Sequence, residues 1–514
     1  MPESSVDTSG SPALVSKEAD FMAASENFRT ANTLYSGTRA ISHTLLKIIP
    51  ITAVLIIPCL WQRRIEAGDL RSHVYNAWLA QLIEQGELPG LWIVRQKSNV
   101  LFDLLLSALG RVFALQVAGR ISAAIAVLVF FWGTFLFVAA ITRRAPWHLV
   151  PLIAMLSYGW TYEEGVFNYY LSVGLAFVGL AIYLGASGWR RYAAVIFVPL
   201  AAMAHMLGLF WMLGAAAYLE ICRVLKPRSR GVLFLLAILG LGALHVYLWH
   251  RFRVASPPHT ILFFNGLDQL IFTKWYEFLA IAIGVFIVAA TTAEMSSEGG
   301  IRAFLQKCVI PIQLYLIVEA AIQLLPDAIW LPQYAAPLSN LAARLTSISA
   351  VLICCALGFL RPRKWHLAAL SGLAVVFFSL LYQDTARLVK MEDQVKSLLT
   401  PLPSHQRILA TIRPPLKYRF NAGHLIEPTC VGRCFSYGNY EAPTEQFRIR
   451  ASAGNGIVVS EMQDASAIED GSYVVQASDL PAYQVYQCGP EWTSLCVRPL
   501  RAGAKNDPIE STSQ

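Results

Sequence analysis

The chain is poor in charge. Only 14% of its 514 residues are Asp, Glu, Lys or Arg, against 55% hydrophobic ones. A soluble domain carries about 25% charged residues, so this shortage excludes an ordinary soluble protein. The sequence also lacks a DxD pair, an HExxH helix, a dinucleotide fingerprint and any internal repeat, so the motifs that most often reveal a soluble enzyme carry no weight. A short apolar region with a small-residue cleavage site is missing near the start, which argues against a cleaved signal peptide. The net charge of +8 is no sign of nucleic-acid binding: from Gln383 onward 13 basic residues meet 14 acidic ones, and the excess sits in short loops between apolar runs.

What is present is a succession of apolar stretches near the ~20 residues that cross a bilayer. Their pattern predicts a mainly α, polytopic transmembrane helical bundle of about 11 spans. These lie at roughly 43–61, 119–141, 147–160, 166–186, 192–206, 207–222, 231–249, 276–291, 308–325, 341–359 and 366–382. Residues 1–41 read as a disordered cytoplasmic tail rich in Ser, Ala and Thr. Residues 42–382 form the membrane domain, with an outer loop at 62–118. Residues 383–504 read as a small α+β extracytoplasmic C-terminal domain, and 505–514 as a loose end. Alternate loops hold the basic pairs Arg143–Arg144 and Arg190–Arg191, whereas YGWTYEEGVFN has no Lys or Arg. The positive-inside rule then places the N-terminus in the cytoplasm and the tail outside an inner (plasma) membrane.

Cysteine usage fits that topology. Five cysteines fall in or beside apolar runs. The other four, Cys430, Cys434, Cys488 and Cys496, lie in the tail, where two disulfides are expected. Three pairings are open; Cys430–Cys434 with Cys488–Cys496 is favoured here, and a zinc site is the alternative. In the tail, TARLVKMEDQVKSLL has helical periodicity, and QFRIRA, GIVVS, GSYVVQA and YQVYQC read as strands.

The stretch GDLRSHVYNAWLAQLIEQGELPG follows the first apolar run. Leu70, Val74, Trp78 and Leu82 recur at helical spacing, with Gly86 as the stop. The expectation is an interfacial helix anchored by Tyr75 and Trp78. Asp69 opens it, which N-capping alone would explain. Catalysis is the sharper reading, since a helix start also fixes the direction of a carboxylate.

An uncleaved first span, an acidic residue just beyond it, a helix ending in G-x-x-P and many further spans resemble the GT-C glycosyltransferase superfamily. YEEGVFNYYLSVGLAFVGLAIYL (Tyr162 to Leu184) and AHMLGLFW (Ala204 to Trp211) resemble segments of uncharacterised bacterial membrane proteins of the same superfamily. The resemblance covers roughly residues 43–382. It implies an enzyme that takes a sugar from a polyprenyl-phosphate donor to a glycan, lipid or protein acceptor outside the membrane, with Asp69 as the base. Substrate-binding candidates are Glu163 and Glu164 in the next outer loop, Asn168 at the start of a span, His205 between two spans, and His73 one turn after Asp69. Arg63, Arg64, Arg71 and Arg95 are candidates for the phosphate. Each has a plainer reading: a solvated loop pair, a capped span end, a structural histidine, or basic residues facing anionic lipid. A divalent metal ion is left open as a cofactor. A polar-lipid transporter or flippase, and a non-catalytic glycolipid-binding scaffold, are the competing functions.

Overall fold

The structure, a computed structural model, describes residues 46–256, 264–296, 300–415, 418–489 and 491–507. The expected N-terminal tail at 1–41 and the last seven residues of the expected loose end lie outside it. The chain divides into two compact units, Met1–Ile57 and Pro58–Gln514. Of the first, the described part is helical.

The protein is mainly helical. Among the described residues seven helices are long and apolar enough to cross a membrane: Leu115–Thr142, Phe167–Gly185, Met206–Val224, Pro227–Arg251, Lys274–Met295, Gly300–Leu324 and Lys364–Leu399. The other four expected spans coincide with shorter helices, Leu46–Leu60, Val150–Ser157, Phe197–Ala204 and Leu341–Leu357. Eight residues of helix rise only about 12 Å, so Val150–Ser157 and Phe197–Ala204 are too short to cross by themselves. His205 marks one interruption: its extended backbone (φ −166°, ψ 133°) separates Phe197–Ala204 from Met206–Val224.

The last long helix also departs from expectation. Lys364–Leu399 runs unbroken for 36 residues, straight through position 382, where the sequence reading divides membrane from tail. Beyond it lies a four-stranded sheet in the order Phe435–Ser436, Arg407–Thr411, Ala482–Gln487, Leu495–Pro499. The first two pairings are parallel and the last antiparallel. Leu409, Tyr437, Val459, Ile468 and Val475 pack into its core.

Of the four expected strands, YQVYQC and the end of QFRIRA form. GIVVS does not, because the Asn455 side chain accepts from the backbone N–H groups of Ile457 and Val458 and folds the segment into a turn. GSYVVQA makes only the isolated bridge between Val474 and Lys505. Cys430 with Cys434 and Cys488 with Cys496 lie at disulfide distance, their Cα atoms 4.4 and 5.8 Å apart. The other five cysteines are free and buried.

The stretch after the first apolar helix does form a helix, Leu70–Gln85, and Gly86 ends it in the left-handed region with φ 78°. Its Tyr75 and Trp78 are not free to anchor it in lipid, as the interfacial reading expected. Leu70 through Ala80 are buried, because the C-terminal segment covers them. The Ser436 N–H donates to the Tyr75 hydroxyl at 2.9 Å, Asn439 Nδ2 donates to Asn76 Oδ1 at 2.9 Å, and Trp78 stacks on Phe435. The strand Leu91–Ile93 pairs with Ile449–Ala451. Tyr75 and Trp78 therefore hold protein rather than lipid.

Arg71 fastens this arrangement. Its guanidinium donates to Glu392 Oε1 at 2.6 Å, to the Asn421 and Gly423 carbonyls at 3.0 and 3.2 Å, and to Glu66. The cluster is sealed from solvent, with the Arg71 side chain 2% exposed. Removing one partner from a buried ionic group costs about 3–5 kcal/mol, since the remaining charge is stranded. Arg71→Ala should therefore lower the thermal unfolding midpoint of the detergent-purified protein by several degrees. A midpoint equal to wild type would deny Arg71 this role.

Candidate functional site

The site is built where two segments approach closely. The Asp69 N–H donates to the Glu164 carbonyl at 3.0 Å. Gly68 (φ +37°) and Gly165 (φ +85°) flank that bond, and a Cβ on either would overlap the backbone of the facing segment. Only glycine fits such a contact at these backbone angles.

Asp69 occupies the N-cap position of helix Leu70–Gln85, yet its side chain caps nothing. It turns instead to the C-terminal segment and to its own helix. Tyr440 donates its hydroxyl to Asp69 Oδ1 at 2.6 Å. His424 Nε2 lies 3.6 Å from the same oxygen, and His73 Nε2 lies 3.7 Å from Oδ2. The other nitrogen of each imidazole meets an acid: His73 Nδ1 is 2.7 Å from Asp103 Oδ1, and His424 Nδ1 is 3.1 Å from Glu427 Oε1. Two carboxylate–imidazole pairs thus converge on one carboxylate. Asp69 is 18% exposed, while His73, Asp103 and Glu427 are all within 4%. Solvent reaches the carboxylate at the centre and the His424 imidazole beside it, which is 23% exposed.

Burial opposes charge on both imidazoles, but the acids outweigh it. Asp103, then Asp69 and Glu441, raise His73 to about 9. Glu427, then Asp69 and Glu469, raise His424 to about 9. Glu164 is pushed up to about 7 by burial and by Asp69, against the pull of Arg344, Arg419 and His424.

The other predicted residues are placed as follows. Glu164 is the member of its pair beside Asp69; its Oε1 lies 3.5 Å from Asn421 Nδ2. Glu163 is buried near Glu66 and Arg71, and burial raises its carboxyl well above the usual range. Asn168 joins the site one step out: its Nδ2 donates to Asp103 Oδ2 at 2.8 Å, and its Oδ1 accepts from the Phe102 N–H at the start of helix Leu101–Gly110. His205 caps the helix Met206–Val224 by accepting from the Leu207 N–H, with Nε2 3.1 Å from Arg344 Nη1.

The four arginines do not gather at Asp69. Arg71 is spent in its sealed cluster, and Arg64 pairs with Glu392 and Asp393. Arg63 and Arg95 are exposed. Arg63, Arg64 and Arg71 share with Arg120 a small cavity of about 50 Å³.

Sequence reasoning missed Asp103, Asn421, His424, Glu427, Tyr440 and Glu441. Asp103 carried a signal, as the lone acid in the apolar helix LFDLLLSALG. His424 and Glu427 stand three residues apart in NAGHLIEPTC, a spacing too common to single out. Among the described residues one group offers ligands to a metal ion: His73, Asp103 and Glu441.

Compared with protein-family models, with curated proteins and with solved structures, the chain finds no match.

A pH effect follows from His424. Its imidazole ordinarily titrates near 6.5 and reaches about 9 in the fold. The stability this adds is complete below about pH 6.5 and is lost as pH rises through 9. His424→Gln should flatten the decline of the unfolding midpoint between pH 6.5 and 9. Parallel pH curves for variant and wild type would show that His424 does not carry it.

Proposed function

We propose that the chain is a membrane glycosyltransferase. It transfers a sugar from a polyprenyl-phosphate-linked donor to a glycan, lipid or protein acceptor on the outer side of the inner membrane, and Asp69 is the base. The observation that carries this reading is the setting of Asp69: a partly exposed carboxylate fixed in direction by the Tyr440 hydroxyl and by its own backbone bond to Glu164, with imidazoles on both sides.

The chemistry suits such a group. As the acceptor oxygen bonds to the anomeric carbon, its proton needs an acceptor within hydrogen-bond reach. Asp69 Oδ2 lies opposite the oxygen that Tyr440 holds and can take that proton. The carbon–oxygen bond to the donor phosphate breaks at the same time, and cationic groups nearby offset the charge that develops on the leaving oxygen. His424, Arg344 and Arg419 are the cations that act on this locality. Attack from the side opposite the leaving group would invert the anomeric centre.

A polar-lipid transporter is the second reading. Glu319, 3% exposed inside the apolar helix Gly300–Leu324, favours it, since ionisable groups at membrane depth commonly line a transport path. Among the described residues nothing comparable to the Asp69 constellation surrounds Glu319, so the enzyme is preferred. In this reading about eleven membrane segments place the N-terminus in the cytoplasm and the C-terminal segment outside.

Two experiments test these statements. Loss of a general base costs about 10²–10⁴ in rate. Cells carrying Asp69→Asn should therefore accumulate the same carrier-linked sugar as cells lacking the gene, while the variant stays folded and inserted. A variant that clears the carrier-linked sugar as wild type does would remove Asp69 as the base. Separately, a membrane-impermeant thiol reagent on intact cells should label Cys430, Cys434, Cys488 and Cys496 only after reduction. Labelling that requires lysis would reverse the orientation.

A further inference from the structure

His73, Asp103 and Glu441 come from three separate stretches: the helices Leu70–Gln85 and Leu101–Gly110, and the short turn of helix Glu441–Thr444. Each is 3% exposed. Each offers one ligand atom, and the three atoms lie within 4.8 Å of one another.

The charges here do not balance. Asp103 and Glu441 press on one another, with Asp69 close by. The one imidazole and Arg448 answer them, and the Arg448 guanidinium bonds to Ser107. One oxygen shows the deficit directly: Glu441 Oε2 is buried and has no hydrogen-bond partner among the described residues. An orphaned carboxylate oxygen in a protein interior is costly, and a bound cation would offset that cost.

The surroundings are those of a prepared ligand set. Asn168 Nδ2 holds Asp103 Oδ2 at 2.8 Å, leaving the other Asp103 oxygen towards His73. Asn439 Oδ1 accepts from the Glu441 N–H at 2.9 Å and fixes where that residue begins. Such outer partners orient ligands in metal sites. The pair His73 Nδ1 and Asp103 Oδ1, now at 2.7 Å, would have to open to the edge of about 3.0 Å (octahedral) or about 3.4 Å (tetrahedral) that bonds of about 2.1 Å produce.

We propose that His73, Asp103 and Glu441 bind a divalent cation of the Zn²⁺ or Mn²⁺ type. One imidazole nitrogen with two carboxylate oxygens suits these ions; the hard Ca²⁺ takes oxygen ligands alone. The cation clasps the turn Glu441–Thr444 to two helices that precede it by more than 300 residues. Tyr440, adjacent to Glu441, is thereby set on Asp69. This proposal stands apart from sugar transfer, because its readout is metal content and ligand identity.

The test uses the full-length protein in detergent, stripped with EDTA, dialysed, and exposed to MnCl₂ or ZnCl₂. About one equivalent of metal should bind per chain, with a rise in unfolding midpoint. Pulsed electron paramagnetic resonance of the Mn²⁺ form should show coupling to one imidazole nitrogen. Glu441→Gln should abolish saturable binding, and Asp393→Asn, remote from the ligands, should leave it intact. Should Glu441→Gln fail to fold, Asn168→Ala keeps all three ligands and should weaken binding about 10–100-fold. No saturable binding by wild type, no nitrogen coupling, or unchanged affinity in both Glu441→Gln and Asn168→Ala would overturn the site.

Discussion

The hydrogen bond from the Asp69 backbone to the Glu164 carbonyl is the contact on which the site depends. It locks the turn after the first apolar helix against the turn before Phe167–Gly185. Both turns can approach so closely because each places a glycine at the contact, in a conformation that other residues adopt at a cost. With its N–H occupied there, Asp69 starts a helix from the capping position without using its side chain as a cap. The carboxylate is thus released from the role that its position in the sequence would assign it, and it points at the C-terminal segment.

That segment supplies half of the site. His424 and Tyr440 reach Asp69 directly, and Glu427 stands behind His424. Their placement follows from packing well away from the carboxylate. The Arg71 cluster ties helix Leu70–Gln85 to Glu392 and to the carbonyls of Asn421 and Gly423, just before His424. The pairing of Leu91–Ile93 with Ile449–Ala451 fixes the other end. A helix with an apolar stripe next to a membrane run reads naturally as lying on lipid. Here the stripe is satisfied by protein, and Trp78 meets Phe435 where a headgroup was expected.

What the sequence made legible is local or compositional. Apolar length marked the long membrane helices, the stop at Gly86 followed from glycine's conformational freedom, and the near-neighbour cysteines paired as their spacing favoured. Asp69 and Glu164 were singled out separately, by depth in the chain relative to apolar runs, and the fold brings them together. What stayed hidden depends on contacts across hundreds of residues: Asp69 to Tyr440 spans 371 positions and Arg71 to Glu392 spans 321. No periodicity encodes such pairs. The strand assignments failed for a related reason, since a run such as GIVVS has the right side chains while one asparagine upstream redirects its backbone hydrogen bonds.

The two ionic clusters of this region use similar acids to different ends, and the contrast bears on function. Around Arg71 the cation is a guanidinium with five fixed donors, engaged by Glu66, Glu392 and two carbonyls, and solvent is excluded. That composition binds three stretches of chain around a guanidinium that stays charged. Around Asp69 the cations are imidazoles, which the surrounding acids raise to about 9, and the central carboxylate is left partly open. A cluster meant only to hold the chain together has no use for an exposed acid at its centre, because solvent weakens its ion pairs. The second arrangement gives up that tightness, and the proposed role of Asp69 as a proton acceptor rests on its being a partly exposed carboxylate with one imidazole near each oxygen.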